Sequence, residues 1–480
     1  MKKIILTIAS LLTLGVMNSC TDDLLDLRPP YELLIEDAIE NEEDVYRFLI
    51  GAYTKISSTS MYGSNLFFYG DLLGDKIFRT NSLTVFTSLV QMSYGPSNPD
   101  DINFYRSAYD VIQNANMVIN NELPDTDTNK QYKADAKMLR ALSYFNLVNY
   151  YASSPKSGQY QEYGVPIITE KYNADNKVAR SSVGEVYDLI ISDLNYAIEN
   201  AVEIPSNKIF LSKTAARLLL SRVYLTRQAP GDAQKALELA RAVKETANTD
   251  GSTFRLFTAR TEYQNYFSSN RDAVSENMGE TVWELDLNAN NTPGVNSSLP
   301  TYYNYLGPRA GLLAKASFYG SFPSTDIRTS LFFTNRIPEG DNPKGVWISK
   351  FNHISTGGNY TRNVKVFRVS EAYLNEIEAL YQLGNNAEAL AKLNEFATIR
   401  SGSTYTGANL LNDILTERNK EFFGEGQRFL DLKRYNLPLE KGDNCPDNCN
   451  VPADSKLFVF PLSIGQLVIN PEAVQHPLWQ

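Results

Sequence analysis

Apolar side chains recur along this chain at intervals of three and four, and the elements they predict are mostly helices in pairs. Over Gln131 to Tyr151, the residues Met138, Leu139, Leu142, Phe145, Leu147 and Val148 follow a 3.6-residue period. Ser182 caps the next helix, with Glu185 as its capping-box partner, and Val186, Leu189, Ile190, Leu194 and Ile198 form the apolar face. Lys213 to Gln228 and Asp232 to Thr246 predict two helices around a Pro230-Gly231 break. Lys365 to Leu383 and Asn386 to Ile399 repeat that form around Gly384. The first pair has Leu220-Ser221, Tyr224, Ala233, Leu237 and Ala240 at the large, small, aromatic and alanine spacings of a tetratricopeptide repeat. The second has Tyr373, Leu380, Ala389 and Leu393, with Phe396 where a small residue is usual. No strict tandem period links the pairs. The expectation is a mostly α fold of irregular tetratricopeptide-like helix pairs forming a right-handed superhelical scaffold. Long loop-rich insertions and a few short strands interrupt it, so that it is not a continuous solenoid.

The insertions are Tyr62 to Ser107, Phe254 to Phe333 and Pro338 to Arg362, rich in Gly, Pro, Asn, Ser and aromatics. Trp283-Glu284-Leu285-Asp286-Leu287 alternates and predicts a short strand. Loops this long in a compact chain are usually functional or disordered, and their aromatic content argues against disorder. A stiff helical scaffold presenting polar-aromatic loops is the layout of a binding protein.

Composition narrows the partners. With 43% hydrophobic and 21% charged residues over 480 positions, the chain can bury a substantial core. A net charge of −10 argues against nucleic acid, which needs a basic face, and against electrostatic adhesion to anionic lipid. There are 29 Tyr and 23 Phe but only 3 Trp, which favours Tyr for any wet, half-apolar binding surface and leaves no obvious Trp platform. His353 and His476 are too far apart to suggest a local metal or catalytic motif. No metal or cofactor is expected.

The N-terminus gives an address. Lys2 and Lys3 precede an almost wholly apolar run from Ile4 to Val16, well short of the roughly 20 residues a spanning helix needs. Met17-Asn18-Ser19-Cys20 ends the run, and Thr21-Asp22-Asp23 follows. This resembles a bacterial lipoprotein signal, with residues 1–19 removed and lipid attached at Cys20. Several acyl chains there would anchor the chain stably, at roughly 0.8 kcal/mol per buried methylene. The acidic cluster is similar to the surface-export signal of Bacteroidetes lipoproteins, which implies the outer face of the outer membrane. Cys445 and Cys449 are the remaining cysteines, and in an exported chain a local disulfide between them is the leading expectation, ahead of free thiols or zinc. The acidic and amide residues around 443–454 lack the ordered spacing of a calcium loop and read as a solvated turn.

Several stretches resemble the SusD/RagB family of outer-membrane nutrient-binding lipoproteins. They include Gly51-Ala52-Tyr53, Tyr109-Asp110-Val111-Ile112, the run from Ala136 to Phe145, Gly164-Val165-Pro166 and Val369 to Leu374. The run from Glu417 to Arg434 is similar to the family's E-R-x-x-E-x-x-x-E-G-x-R-x-x-D-L-x-R signature, through Glu417, Arg418, Glu421, Glu425, Gly426, Arg428, Asp431 and Arg434. Spacings of three, four and seven let opposite charges meet along or between helix faces, and Gly424 and Gly426 break the helix. The expectation is an ion-pair clasp that locks the last helices to the scaffold, not catalysis. The resemblance implies a single domain over 20–480, with a helical half at 20–250 and a second half at 251–480. That second half holds a loop-rich insertion at 254–362 and signature helices at 365–434.

It further implies a surface nutrient-binding lipoprotein that captures a glycan and delivers it to a SusC-like TonB-dependent transporter. Sugar would stack on aromatic faces and accept hydrogen bonds from polar neighbours. The candidate contacts are Tyr94, Asn98 and Asn103, then Tyr302, Tyr303 and Tyr305, then Phe318 and Tyr319. The alternative is the same architecture binding oligopeptides. A surface glycosidase is remote, and Glu284 with Asp286 is the only carboxylate pair that would suit it.

Overall fold

A computed structural model describes residues 38–97, 104–173, 175–249, 254–334, 345–351 and 362–480. Cys20 and the signal, Asn98, Asn103, His353 and much of the third insertion lie outside the described residues. The first half runs through α1 (Glu42–Ile56), α2 (Asn65–Leu72), β1 (Ile77–Arg79), α3 (Thr87–Val90), α4 (Phe104–Ile119), α5 (Asp127–Tyr151), α6 (Val183–Asn200), α7 (Lys213–Arg227) and α8 (Asp232–Thr249). The second opens with α9 (Arg260–Ser268), β2 (Thr281–Leu285), α10 (Leu299–Tyr303), β3 (Leu312–Lys315), α11 (Ala316–Tyr319), β4 (Phe332–Phe333), β5 (Gly345–Ile348) and β6 (Val364–Arg368). It closes with α12 (Val369–Gln382), α13 (Asn386–Ile399), α14 (Leu410–Phe422), α15 (Arg428–Arg434), the pair β7 (Leu439–Glu440) and β8 (Asn450–Val451), and α16 (Ile464–Ile469).

Local chemistry starts the helices where the pattern places them. Asn41 caps α1 through its side-chain oxygen, which accepts from the Glu43 and Asp44 amides, and three acids in the first turn complement the helix dipole. Ser182 and Glu185 form the capping box of α6, at 3.2 and 2.7 Å. From Ala134 to Tyr151 nearly every residue of α5 is buried, because α4 lies on one side and α6 on the other. A helix covered all round forms the middle of a stack.

Neighbouring helices pack in the order α1, α4, α5, α6, α7, α8, α12, α13. The stack is therefore continuous in space although the sequence interrupts it between α8 and α12. This is the mostly helical scaffold of tetratricopeptide-like pairs with long insertions that the pattern predicts. Covering the apolar side of α12 requires α7 and α8, and specific polar contacts fix the join. Asn375 donates to Ser221 at 2.8 Å, and Arg222 forks onto Glu371 at 2.5 and 2.6 Å. A correction concerns Lys365 to Arg368, expected as the start of a helix. It is β6, fully buried and paired antiparallel with β2, and the helix starts only at Val369.

Candidate functional site

The signature run builds the floor on which the insertions rest. Arg368, at the end of β6, meets Glu280 at 2.7 Å, Glu421 at 2.8 Å and Glu425 at 2.8 Å. Arg400 meets Glu280 and Glu421 at 2.7 and 2.9 Å, and Arg328 lies between Asp326 and Glu417 at 2.8 and 2.7 Å. Lys350 closes on Glu425. Burial pushes the Glu421 carboxyl up, but Arg400, Arg368 and Arg328 together hold it well below the usual carboxylate range. These carboxylates are paired with guanidinium or ammonium groups and anchor the elements around them. A second cluster joins Arg418 and Arg434 to Asp431 at 3.2 and 2.7 Å, with Arg434 also on Glu378. Arg428 reaches Asp75, just before β1, at 2.8 and 3.0 Å. Gly426, at φ +71°, packs its backbone directly on α2, where a β-carbon on Gly70 would lie 1.6 Å from its carbonyl oxygen.

Several partners in this network come from the insertions: Glu280, Asp326 and Arg328 from the second and Lys350 from the third. So does one sheet, in the order β1-β3-β5-β4, with β1 from the first insertion, β3 and β4 from the second and β5 from the third. Its inner face, with Ile77, Leu312, Ala314, Phe332 and Ile348, belongs to the main core. On its outer face the register aligns Phe78, Leu313, Trp347 and Phe333 in one cross-strand row. Phe78, Leu313 and Trp347 form a separate small core, covered in part by Tyr305, Ala310 and Phe333. Tyr305 stacks on Phe333 with ring centroids 4.2 Å apart, and both remain half-exposed. The Trp347 indole N–H is buried without a hydrogen-bond partner. The next row on this face is Lys76, Lys315 and Gly345.

A polar cleft of about 320 Å³ opens at this lysine row. The Asn412, Thr416 and Asn419 face of α14 forms one wall, the Phe318 ring another, and Glu440 to Asp443 the lip. The lip leads into the β7–β8 connection, which a disulfide closes between Cys445 and Cys449. Lys315 donates to the Lys441 carbonyl, and the Lys441 amine donates to the carbonyls of Leu72 and Val90, both at 3.1 Å. Burial, with Lys315 beside it, brings the Lys441 ammonium down to about 7. Burial alone would raise Asp75, but Arg428 and then Lys76 hold it well below the carboxylate range.

The structure redraws the aromatic expectation. Tyr94, Tyr302, Tyr303 and Phe318 are in the core, at 3, 4, 0 and 5% exposure. Tyr94 donates to the Leu457 carbonyl, Tyr302 packs on Phe68 and Phe86, and Tyr303 donates to Asp71 at 2.5 Å. Their rings are occupied internally, and Phe318 reaches the cleft only as a wall. Tyr305 and Tyr319 stay half-exposed. Glu284 is fully buried and accepts from the Asn277 amide and from Asn363, while Asp286 is exposed, so the two do not flank a common cleft. Among the described residues no group of three or more His, Cys, Asp or Glu is arranged for a metal. Sequence reasoning missed Trp347, Phe333 and the lysine row. The alternation in Lys76-Ile77-Phe78 and Leu313-Ala314-Lys315 was the available signal.

Two family models match the chain. One, described as starch-binding associating with outer membrane, covers residues 23–225, and the other, the SusD family, covers 330–479. The chain belongs to the SusD/RagB family. It is 24% identical to SusD-like protein P38 of Formosa agariphila over 99% of both chains, and 27% identical to SusD-like protein P2 of that organism over 92% of both. A SusD superfamily protein of Bacteroides vulgatus superposes with a TM-score of 0.81 at 25% identity, over 92% of this chain and 100% of that one. A SusD-like carbohydrate binding protein of the same species gives 0.75 at 22% identity, over 91% and 98%. SusD-like proteins are binding proteins of the outer-membrane surface. Among the described residues no helix is long and apolar enough to cross a membrane.

Proposed function

We propose that this SusD/RagB protein captures a glycan on the outer face of its insertion sheet and delivers it to a SusC-like TonB-dependent transporter, while lipid at Cys20 tethers it to the cell exterior. One observation carries the reading. Three separate insertions converge on a single sheet, whose outer face offers a half-exposed Tyr305–Phe333 stack at one edge and a polar cleft towards the other. A sugar presents apolar C–H faces and a rim of hydroxyls, and this combination meets both. The role is capture and hand-over, because the carboxylates of the signature run are held in ion pairs.

Isothermal titration against oligosaccharides and short peptides tests it. Saturable heat is expected from an oligosaccharide. Tyr305→Ala or Phe333→Ala should weaken binding roughly five- to tenfold, about 1–1.4 kcal/mol per ring. Heat from peptides with none from any glycan would sink the reading. Co-purification from outer membranes should recover the transporter, and radiolabelled palmitate should enter the chain and be lost in Cys20→Ala.

A further inference from the structure

We infer that the cleft at the lysine row accepts an anionic substituent, a carboxylate or sulfate ester, so that the captured saccharide is an acidic one. This deepens the glycan reading and rests on it. Lys315 and Lys441 line the cleft and are 5 and 6% exposed, yet among the described residues neither has a carboxylate within ion-pair distance. Most other buried cations are compensated, and Lys365 and Lys420, which also lack an ion pair among the described residues, do not line this cleft. Arg328, Arg368, Arg400 and Arg434 all meet carboxylates, and the Lys433 amine spends its three donors on the carbonyls of Asn149, Ala152 and Phe458. The Lys441 amine has two carbonyl acceptors and Lys315 one, which leaves donors on both. Of the cleft's own anions, Asp75 is taken up by Arg428 and Lys76, at 2.8 Å each, and Glu440 and Asp443 are exposed at the lip.

A buried ammonium with no carboxylate in contact is costly and tends towards its neutral form, and Asp75 and Asp443 offset the burial of Lys315 only in part. Burial lowers Lys315 as well as Lys441. An anion seated between the two amines would restore both charges and gain charge-assisted hydrogen bonds. Around it, Asn412, Thr416 and Asn419 offer amide and hydroxyl partners for ring hydroxyls. The volume of about 320 Å³ suits a single charged sugar unit. The half-exposed Tyr305–Phe333 stack lies two residues along and two strands across the sheet from Lys315, roughly 12 Å away, so a chain of several sugars would be needed to reach both.

The test is titration of the whole protein with three probes: an oligogalacturonate, a sulfated galactan oligosaccharide and neutral maltoheptaose. At least one acidic probe should bind tenfold or more tightly than maltoheptaose, and the uronate and sulfate arms show which anion is preferred. Lys315→Met should weaken that probe at least tenfold and leave maltoheptaose within twofold. Lys76→Ala, at the accessible edge, should weaken it about threefold and serves if the buried variant does not fold. Raising salt should weaken only the acidic probe. If maltoheptaose binds as tightly as both acidic probes, or the lysine variants change nothing, the acidic inference falls and the glycan reading stands. If no saccharide binds and peptides do, both fall.

Discussion

Replacing Arg368 with methionine removes a charge at the centre of the buried network while roughly keeping the side chain's volume. The guanidinium touches Glu280, Glu421 and Glu425 at 2.7–2.8 Å and also donates to the Glu421 carbonyl at 3.1 Å. Breaking a buried ion pair from one side costs about 3–5 kcal/mol, because an uncompensated charge stays behind. Here each carboxylate keeps at least one other cation: Arg400 for Glu280, Arg400 and Arg328 for Glu421, and Lys350 for Glu425. The lower end, about 3 kcal/mol, is therefore expected for Arg368→Met. With an unfolding entropy of about 2.1 cal/mol/K per residue and roughly 440 folded residues, that is a drop in Tm of only ~3 °C. Urea unfolding followed by circular dichroism is the sharper assay. The double variant Arg368→Met/Glu280→Gln removes one under-compensated carboxylate while Arg400 keeps Glu421, and should recover about 1–2 kcal/mol. Lowering the pH should also narrow the gap between Arg368→Met and the parent, since a stranded carboxylate can take a proton. A single variant within about 0.5 kcal/mol of the parent at pH 7.5, or a double variant no better than the single, would refute the idea that these charges hold one another.

Three further outcomes follow from named contacts. Gly426→Ala should cost at least ~2 kcal/mol, since its β-carbon would lie 2.7 Å from the Leu66 carbonyl oxygen at a left-handed φ of +71°; a midpoint shift in urea reads it. Cys445→Ser/Cys449→Ser should cost no more than ~2 kcal/mol, because the disulfide closes so short a loop, and reduction of the parent should give the same loss. His476 accepts the Leu478 amide at 3.3 Å, and burial, then Arg180 and Lys433, bring its pKa down to about 3, against about 6.5 when unfolded. The unfolded chain therefore binds the extra proton between those values, so stability is complete above pH 6.5 and falls as pH drops towards 3. His476→Gln should flatten that slope. Asp71 and Asp135, both raised to about 7 by burial, tilt the curve the other way in both proteins, so the difference between variant and parent isolates the histidine.

The helices were legible because their signal is local. The 3.6-residue period, the Ser182–Glu185 box and the Gly384 break lie within single segments, and α13 spans Asn386–Ile399 as the pattern predicts. The insertion sheet was not legible, since β4 has only two residues and the pairing of Phe78 with Leu313 joins segments far apart in sequence. The same distance hid the tyrosines. Tyrosine suits a wet surface and a hydrogen-bonded core equally, and only Asp71, brought over by α2, decides for Tyr303. The signature's acids were readable as a clasp, but not their partners. Arg328, Arg368 and Arg400 lie outside the motif, in the insertions or at the ends of neighbouring elements.

That arrangement makes the molecule modular at its working end. The arginines and lysine that dock the insertions sit at a few fixed points, and the stretches between those points only have to start and finish in place. The entropy of closing a loop grows with the logarithm of its length, so each doubling adds only about 0.6 kcal/mol. Segments between the rivets can be lengthened, shortened or rewritten to suit a new cargo while the helical chassis beneath stays as it is.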